Sequence, residues 1–178
     1  MSTKHPIISV TGSSGAGTTS VRNTFEQIFR RDGVKAAFIQ GDAFHRYDRK
    51  GMKQAVAKAA SEGNDTFSHF GLEANLLAEL EGTFKSYSET GAARARHYVH
   101  DEAGAKKHGV PSGTFTPWED IKPGTDLLFY EGLHGCLVSG KHNLARFCDL
   151  KIGVVPVIKS QKRARLCWPE TRQPWRPS

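Results

Sequence analysis

Cysteine is scarce in this sequence of 178 residues, which contains Cys136, Cys148 and Cys167 and no CxxC pair. An odd number of widely spaced cysteines argues against a disulfide framework and against a zinc site. The scattered histidines also lack the spacing that zinc ligands show. A few unpaired cysteines are typical of a protein in a reducing compartment, so we expect a cytoplasmic location.

Long apolar runs are also missing. No segment approaches the roughly 20 consecutive apolar residues that a helix needs to cross a bilayer. Residues 1–6 are polar at several positions and lack the apolar core of a signal peptide. We therefore expect no association with a membrane. The length predicts a single domain with enough core for independent stability.

The excess of positive over negative charge is small over most of the chain, although the net charge is +7. Residues 159–178 contain six lysines and arginines and one glutamate, a local charge of +5, so residues 1–158 carry +2. A nearly balanced body argues against a nucleic-acid partner. Because the last segment has no helical or strand period, we predict a domain over residues 1–158 and a disordered basic tail over residues 159–178.

Glycine, in contrast, is concentrated directly after the first apolar run, at residues 7–11. Residues 12–19 read Gly-Ser-Ser-Gly-Ala-Gly-Thr-Thr, which fits the phosphate-loop pattern G-x-x-x-x-G-K-[ST] except that Thr18 replaces the lysine. Such a loop turns several backbone N–H groups toward one anion, and the start of the next helix adds to the attraction. The pattern predicts a nucleotide phosphate site in which Thr19 is placed to coordinate Mg²⁺. The alternative is a tight turn that binds no ligand.

The apolar periodicity predicts an α/β protein of the P-loop NTPase type, with a mostly parallel sheet flanked by helices and incomplete at its C-terminus. Strand, glycine turn, helix and strand form a βαβ unit, which implies parallel pairing. The region 91–124 is rich in Gly, Pro and His and is predicted to be mostly loop, with extended pieces around residues 96–100. The predicted strands are 7–11, 34–40, 126–131 and 151–155, and the predicted helices are 19–31, 52–62 and 72–87.

A second polar segment follows the second predicted strand, at residues 41–49. Asp42 could accept a proton from an attacking hydroxyl group, or orient that group. Arg46 and Arg49 suit bidentate binding of a phosphate group on a substrate. The alternative is a solvated loop with ordinary ion pairs. The nearby phosphate loop favours the functional interpretation.

A third polar signal is Glu131, which ends the apolar strand 126–131. A carboxylate at the end of a central strand can approach Mg²⁺ in phosphate-loop enzymes. The alternative is a strand-terminal side chain in solvent. A buried strand must direct its terminal charge to a polar crevice, so we favour a role at the metal.

A weaker cluster lies farther along the chain. Alternation would place Arg94, Arg96, Tyr98 and His100 on one side of an extended segment. These side chains could form the wall of an anionic pocket. They could equally form a solvated strand face.

Taken together, six segments in the same order resemble the bacterial phosphoribulokinases over about residues 5–158. That family also has threonine where other phosphate loops carry lysine, so Thr18 agrees with its pattern. The segments that carry the resemblance are 7–18, 41–46, 66–70, 98–101, 127–135 and 149–158.

The resemblance implies transfer of the γ-phosphoryl group of ATP to O1 of D-ribulose 5-phosphate, which gives D-ribulose 1,5-bisphosphate for the Calvin cycle. It also implies a homo-oligomer and a response to NADH. Carried over by motif, Asp42 is the candidate base, and Thr19 and Glu131 serve Mg²⁺. The implied ATP-binding residues are Gly12, Ser13, Ser14, Gly15, Ala16, Gly17, Thr18, Thr19 and Ser20, and the predicted sugar-phosphate residues are His45, Arg49, Arg96, Tyr98 and His100.

Two alternatives to this assignment remain. One is another small-molecule kinase of the same group, similar to the uridine kinases. The other is a nucleotide-binding module without catalytic activity. After Ile158 the sequence departs from the family pattern, which continues into a segment with further arginines and a second aspartate. We therefore expect weak or no turnover from the chain of 178 residues.

Overall fold

The computed structural model describes residues 4–155, so the predicted boundary at residue 158 and the tail at residues 159–178 lie outside the described residues and stay predictions. Short 3₁₀ turns at Gly41–Phe44, Leu72–Ala74 and Leu144–Phe147 accompany the regular elements. In chain order these are β1 (Ile7–Gly12), α1 (Thr18–Arg31), β2 (Ala36–Gln40), α2 (Arg49–Ser61), α3 (Leu77–Thr90), β3 (Ala93–Ala95), α4 (Glu102–His108), β4 (Glu119–Ile121), β5 (Leu127–Gly132) and β6 (Leu150–Val154).

Four of the strands form a parallel sheet in the order β2-β5-β1-β6. The predicted α/β fold with a parallel sheet is confirmed. The prediction that β1 and β2 pair directly is wrong, because β5 lies between them. Glu131 near the end of β5 is therefore opposite Val10 of β1 on one side and Gln40 of β2 on the other. This insertion brings the ends of all three strands to one edge of the sheet.

Strand β5 is buried on both faces because helices cover both sides of the sheet. Phe129 points to one face, where it packs against Phe25 of α1 with ring centroids 5.2 Å apart. Leu128 and Tyr130 point to the opposite face and join a cluster with Phe84 of α3. The alternation of side chains along a strand accounts for this division of the core into two layers.

Helix α1 begins one residue before its predicted start, and two other helices begin several residues away from theirs, each for a local cause. Helix α2 starts at Arg49 instead of residue 52, because the Asp48 side chain caps it by accepting a hydrogen bond from the Gly51 N–H at 2.6 Å. Helix α3 starts at Leu77 instead of residue 72. Asn75 adopts an extended conformation before it, and the Asn75 side-chain amide donates to the carbonyl oxygens of His69 and Gly71.

The region 91–124 is more regular than predicted. Strands β3 and β4 pair antiparallel, with Ala93 opposite Ile121. Helix α4 was not predicted, although its ends carry ordinary capping signals. Asp101 accepts a hydrogen bond from the Gly104 N–H at 2.8 Å, and Gly109 ends the helix with a φ of 69°.

Glu81 of α3 holds the segment that leads to β6. Its Oε2 lies 2.9 Å from His142 Nδ1, its Oε1 accepts from the Asn143 N–H, and Arg146 lies 3.4 Å away. These partners favour the carboxylate, and they lower the pKa of Glu81 below its usual value, with the His142 hydrogen bond as the largest cause.

Replacing Glu81 with glutamine should lower the free energy of unfolding at pH 7 by about 1–2 kcal/mol, since hydrogen bonds to a charged group are lost. A lowered folded-state pKa stabilises the fold above the unfolded-state pKa, and this stabilisation is lost as the pH falls through the folded value. The difference between the two proteins in urea unfolding should therefore shrink from pH 7 toward pH 3. Glu89→Gln, at an exposed position of the same helix, is the control. Equal losses of unfolding free energy in both variants would contradict a stabilising role for the contacts of Glu81.

Candidate active site

The carboxyl ends of β1, β2 and β5 open onto one cavity of ≈ 760 Å³. This is the edge of a parallel sheet at which ligands usually bind. The cavity continues from the glycine loop after β1 to the first turns of α2. Most of the predicted site residues line it, namely Gly12, Ser13, Ser14, Gly15, Thr18, Thr19, Asp42, His45, Arg49, Tyr98, His100 and Glu131, while Ala16, Gly17, Ser20 and Arg96 do not.

The loop after β1 has the backbone that the glycines predicted. Gly15 and Gly17 have φ values of 79° and 99°, a region that side chains other than glycine rarely adopt. The Ala16 N–H donates to the Ser13 carbonyl oxygen at 2.9 Å, which closes the turn. Helix α1 then begins at Thr18, so its free N–H groups face the cavity end of the loop. No side chain from residue 12 to residue 20 carries a charge.

Thr18, at the position where the motif has lysine, contacts the end of the central strand. Its hydroxyl group donates a hydrogen bond to Glu131 Oε1 at 2.5 Å. This bond joins the phosphate loop to β5 and holds the Glu131 carboxylate at the cavity wall. The sequence predicted both residues for this site, and the structure brings them into direct contact.

The oxygen atoms at this point match the ligands that Mg²⁺ prefers. Thr19 and Glu131 both line the cavity and supply a hydroxyl and a carboxylate. Within residues 4–155, no group of three or more His, Cys, Asp or Glu side chains could hold a metal ion by itself. A site with one or two protein oxygens fits Mg²⁺, which usually takes its other ligands from water and from phosphate groups.

Asp42 follows β2 and lies between two imidazole rings that also line the cavity. Its Oδ1 is 3.7 Å from His45 Nε2, and its Oδ2 is 3.4 Å from His100 Nε2. The Asp42 side chain is 49% exposed, so its carboxylate can meet a ligand directly. Burial lowers the pKa of His45 below its usual value; Asp42 opposes this shift, and the nearby rings of His69, His134 and His100 add to it.

Arg49 and Tyr98 also line the cavity, and both contact His100. The Arg49 guanidinium donates a hydrogen bond to the His100 carbonyl oxygen at 2.7 Å, while the group remains exposed. The Tyr98 ring packs edge-on against His100, with centroids 4.8 Å apart. Arg49 thus joins the start of α2 to residues 98–100 and lines the cavity.

Three other arginines of the sequence analysis do not line the cavity. Arg96 donates to the carbonyl oxygens of Ala43 and His45, each at 2.8 Å. Arg94 is exposed and pairs with Asp120 at 3.4 Å. Arg46 donates to the carbonyl oxygen of Glu73. The predicted alternation fails because regular pairing in β3 ends at Ala95, so the later side chains follow a different path.

The sequence analysis missed several residues that line the cavity. His134 donates through Nε2 to the Phe70 carbonyl oxygen at 3.1 Å, and burial lowers its pKa. His69 and Asn75 lie beside it, and Lys53 of α2 adds a positive charge. The signal that could have found His134 is its position three residues after Glu131, whereas nothing in the sequence singles out Asn75.

The parallel sheet, the glycine loop and the carboxylate at the end of β5 together define a P-loop kinase-type α/β protein. A family model described as "Phosphoribulokinase / Uridine kinase family" matches residues 7–167. The chain belongs to this family.

Relatives and solved structures show which members of the family are similar to this chain. The chain is 63% identical over 155 residues to the phosphoribulokinase of Nitrobacter vulgaris, an alignment that covers 87% of this chain and 53% of that protein. It is 55% identical over 173 residues to the chromosomal phosphoribulokinase of Cupriavidus necator, covering 97% and 59%. The structure of phosphoribulokinase from Rhodobacter spheroides matches with a TM-score of 0.78 and 50% identity, covering 96% of this chain and 60% of that one.

A possible uridine kinase from Bacillus stearothermophilus also matches, with a TM-score of 0.61 at 16% identity, and covers 90% of this chain and 77% of that one. At this identity the likeness shows the fold alone. The chain spans about half the length of the curated relatives it matches. No helix within residues 4–155 combines the length and the apolar character needed to span a bilayer.

Proposed function

We propose that this chain carries the nucleotide and sugar-phosphate sites of a phosphoribulokinase, which transfers the γ-phosphoryl group of ATP to O1 of D-ribulose 5-phosphate. The products are ADP and D-ribulose 1,5-bisphosphate, so the reaction belongs to the Calvin cycle. One observation carries the proposal: a single cavity contains the glycine loop, Glu131 and the group formed by Asp42, His45 and His100. The 63% identity to a relative of that name favours this acceptor.

The phosphates of ATP would lie on the glycine loop, where backbone N–H groups at the start of α1 supply positive partial charge. Thr18 and Thr19 add hydroxyl groups at the same place. This arrangement fits a polyanion although the loop itself has no cationic side chain. Mg²⁺, held by Thr19 and Glu131, would neutralise charge that develops on the transferred phosphoryl group.

In the same cavity, the exposed Asp42 carboxylate is the base of the proposed reaction. It accepts the proton of the O1 hydroxyl as that oxygen attacks the γ-phosphorus, and the bond to the ADP oxygen breaks. Arg49 and the neighbouring Lys53 give positive charge for the 5-phosphate of the sugar. His45 is half-buried, and burial lowers its pKa below the usual value. Its ring nitrogens can donate or accept a hydrogen bond.

The proposal also covers a homo-oligomer and an NADH effector. Both rest on the family resemblance. A sedimentation experiment on the chain, with and without NADH, examines both.

The test of the proposed acceptor compares a sugar phosphate and a nucleoside under the same conditions. The chain, in excess over Mg·ATP, is incubated with D-ribulose 5-phosphate or with uridine, and products are followed by mass spectrometry. We expect D-ribulose 1,5-bisphosphate and no uridine monophosphate, and saturable binding of D-ribulose 5-phosphate by calorimetry. Phosphorylation of uridine would reassign the chain to the uridine kinases. Saturable ATP binding without binding of either acceptor would leave a nucleotide-binding module and would overturn the proposal.

A further inference from the structure

Arg96 is the predicted sugar-phosphate residue that the structure places behind the cavity wall. Its Nε donates to the Ala43 carbonyl oxygen and its Nη2 donates to the His45 carbonyl oxygen, both at 2.8 Å. The planar guanidinium fork presents its donors in a fixed geometry, so two bonds define the separation of two acceptors. Arg96 thereby joins its own segment to residues about 50 positions earlier in the chain, in the segment that carries Asp42.

The rest of the guanidinium group is enclosed by aromatic rings. Its central carbon lies 3.7 Å from the centroid of the Phe115 ring and 4.8 Å from that of Trp118. Trp118 in turn packs edge-on against Phe44, with centroids 5.5 Å apart. A cation over aromatic faces is attracted to them, and the attraction is stronger where water is excluded. These contacts hold the side chain in one place, and Arg96 is not among the residues that line the cavity.

The segment that Arg96 holds has little regular structure of its own. Residues Gly41–Phe44 form a single 3₁₀ turn, and the hydrogen bond from the His45 N–H to the Asp42 carbonyl oxygen is 3.3 Å long. Such short helices have poor hydrogen-bond geometry and depend on their surroundings. Ala43 and Phe44 are buried, whereas the side chains of Asp42 and His45 reach the cavity.

We propose that Arg96 is a positioning residue, which fixes the backbone at residues 43–45 and so sets the arrangement of Asp42 and His45 at the acceptor end of the cleft. The inference rests on the proposed function for its meaning in catalysis. It replaces the direct contact with substrate that the sequence predicted for Arg96. The proposal rests on the two carbonyl oxygens that Arg96 binds and on the aromatic cage around its guanidinium group.

The test uses Arg96→Lys, Arg96→Met and the matched control Arg94→Met, which removes an exposed guanidinium two residues away. Lysine keeps the charge but cannot bridge the two carbonyl oxygens, and methionine removes both. We expect Arg96→Lys to weaken binding of D-ribulose 5-phosphate about tenfold, as one lost charge-assisted hydrogen bond does. Affinity for Mg·ATP should stay within about twofold in all three variants, because the glycine loop lies elsewhere.

A second measurement does not depend on any substrate. The titration of His45 is followed by NMR in the ligand-free chain, with the groups that face it (Asp42, His69, His100 and His134) unchanged. Release of the segment exposes His45 to water, so its midpoint should rise toward the ordinary value in Arg96→Lys and stay at the wild-type value in Arg94→Met. If Arg96→Met does not fold, Arg96→Lys decides the question.

Unchanged sugar-phosphate affinity together with an unchanged His45 midpoint in Arg96→Lys would overturn the proposal. If the wild-type chain binds no D-ribulose 5-phosphate, the proposed function fails instead. The His45 titration still tests the positioning role of Arg96 in that case. Equal shifts in Arg94→Met would show a general effect of lost positive charge, and that result would also overturn the positioning role.

Discussion

Replacing Asp42 with asparagine should lower the rate of D-ribulose 1,5-bisphosphate formation about 100- to 10,000-fold, the range for loss of a general base. Asparagine keeps the shape of the side chain but cannot accept the proton of the attacking hydroxyl group. Asp42 is exposed, and exposed polar substitutions usually change stability little, so we expect the variant to fold as the wild type does. Product accumulation is measured with the chain in excess over ATP, so that slow turnover is still detected.

The same variant gives a second result without catalysis. The Asp42 charge raises the pKa of His45 against the effect of burial, so its removal should lower the pKa of His45 further. Asp120→Asn is the matched control, because Asp120 is also exposed but pairs with Arg94 outside the cavity. A rate for Asp42→Asn within about threefold of the wild-type rate would remove Asp42 from the role of base, since such a change is far below that range.

Replacing Gly17 with valine should weaken Mg·ATP binding at least about 100-fold, because several charge-assisted hydrogen bonds from the loop depend on its backbone. Gly17 precedes α1 with a φ of 99°, a conformation that costs a β-branched residue far more than it costs glycine. No atom lies within 4 Å of the site that a Cβ would occupy, so the effect comes from the backbone and not from a clash. Calorimetric titration of the chain with Mg·ATP measures it.

Gly140→Val serves as the control for this change. Gly140 also has open space around the added side chain, and its φ lies outside the left-handed region. Its ATP affinity should equal that of the wild type. Saturable binding of Mg·ATP by Gly17→Val with wild-type affinity would contradict the placement of the phosphates on the loop, and with it the nucleotide site.

The elements that the sequence predicted well are those with strong local signals. The run from residue 7 to the end of α1 combines a buried strand, three glycines and an amphipathic helix, and all three agree with the structure. The buried strand β5 was equally clear because its apolar residues are continuous. The neighbour of β2 could not be predicted in the same way. Strand order depends on contacts between distant parts of the chain, which periodicity does not record.

Capping residues account for one boundary error and one missed helix. Asp48 precedes α2 and Asp101 precedes α4, and each accepts a hydrogen bond from the N–H three residues later, so both signals were present in the sequence. The start of α3 had no such signal. Leu72 continued the apolar stripe in the sequence, but it is 45% exposed because the extended Asn75 interrupts the helix.

The site itself was predictable where polar residues follow strands and less so elsewhere. Asp42 and Glu131 were found because strand ends meet at one edge of the sheet. Arg96 was assigned to the cavity because strict alternation was assumed beyond β3. The aromatic cage formed by Phe115 and Trp118 comes from a different part of the chain, and no local pattern relates it to Arg96.

The hydroxyl side chain of Thr18 has a consequence for how the two halves of the cleft respond to acidity. An uncharged loop attracts a polyanion through peptide dipoles, and these do not titrate between pH 5 and 8. His45 beside Asp42 is an ionisable ring, and burial lowers its pKa below the usual value. Acidification should therefore change acceptor binding near Asp42, while the fraction of the chain with bound nucleotide stays nearly constant. Nucleotide binding and the response to pH thus depend on different residues.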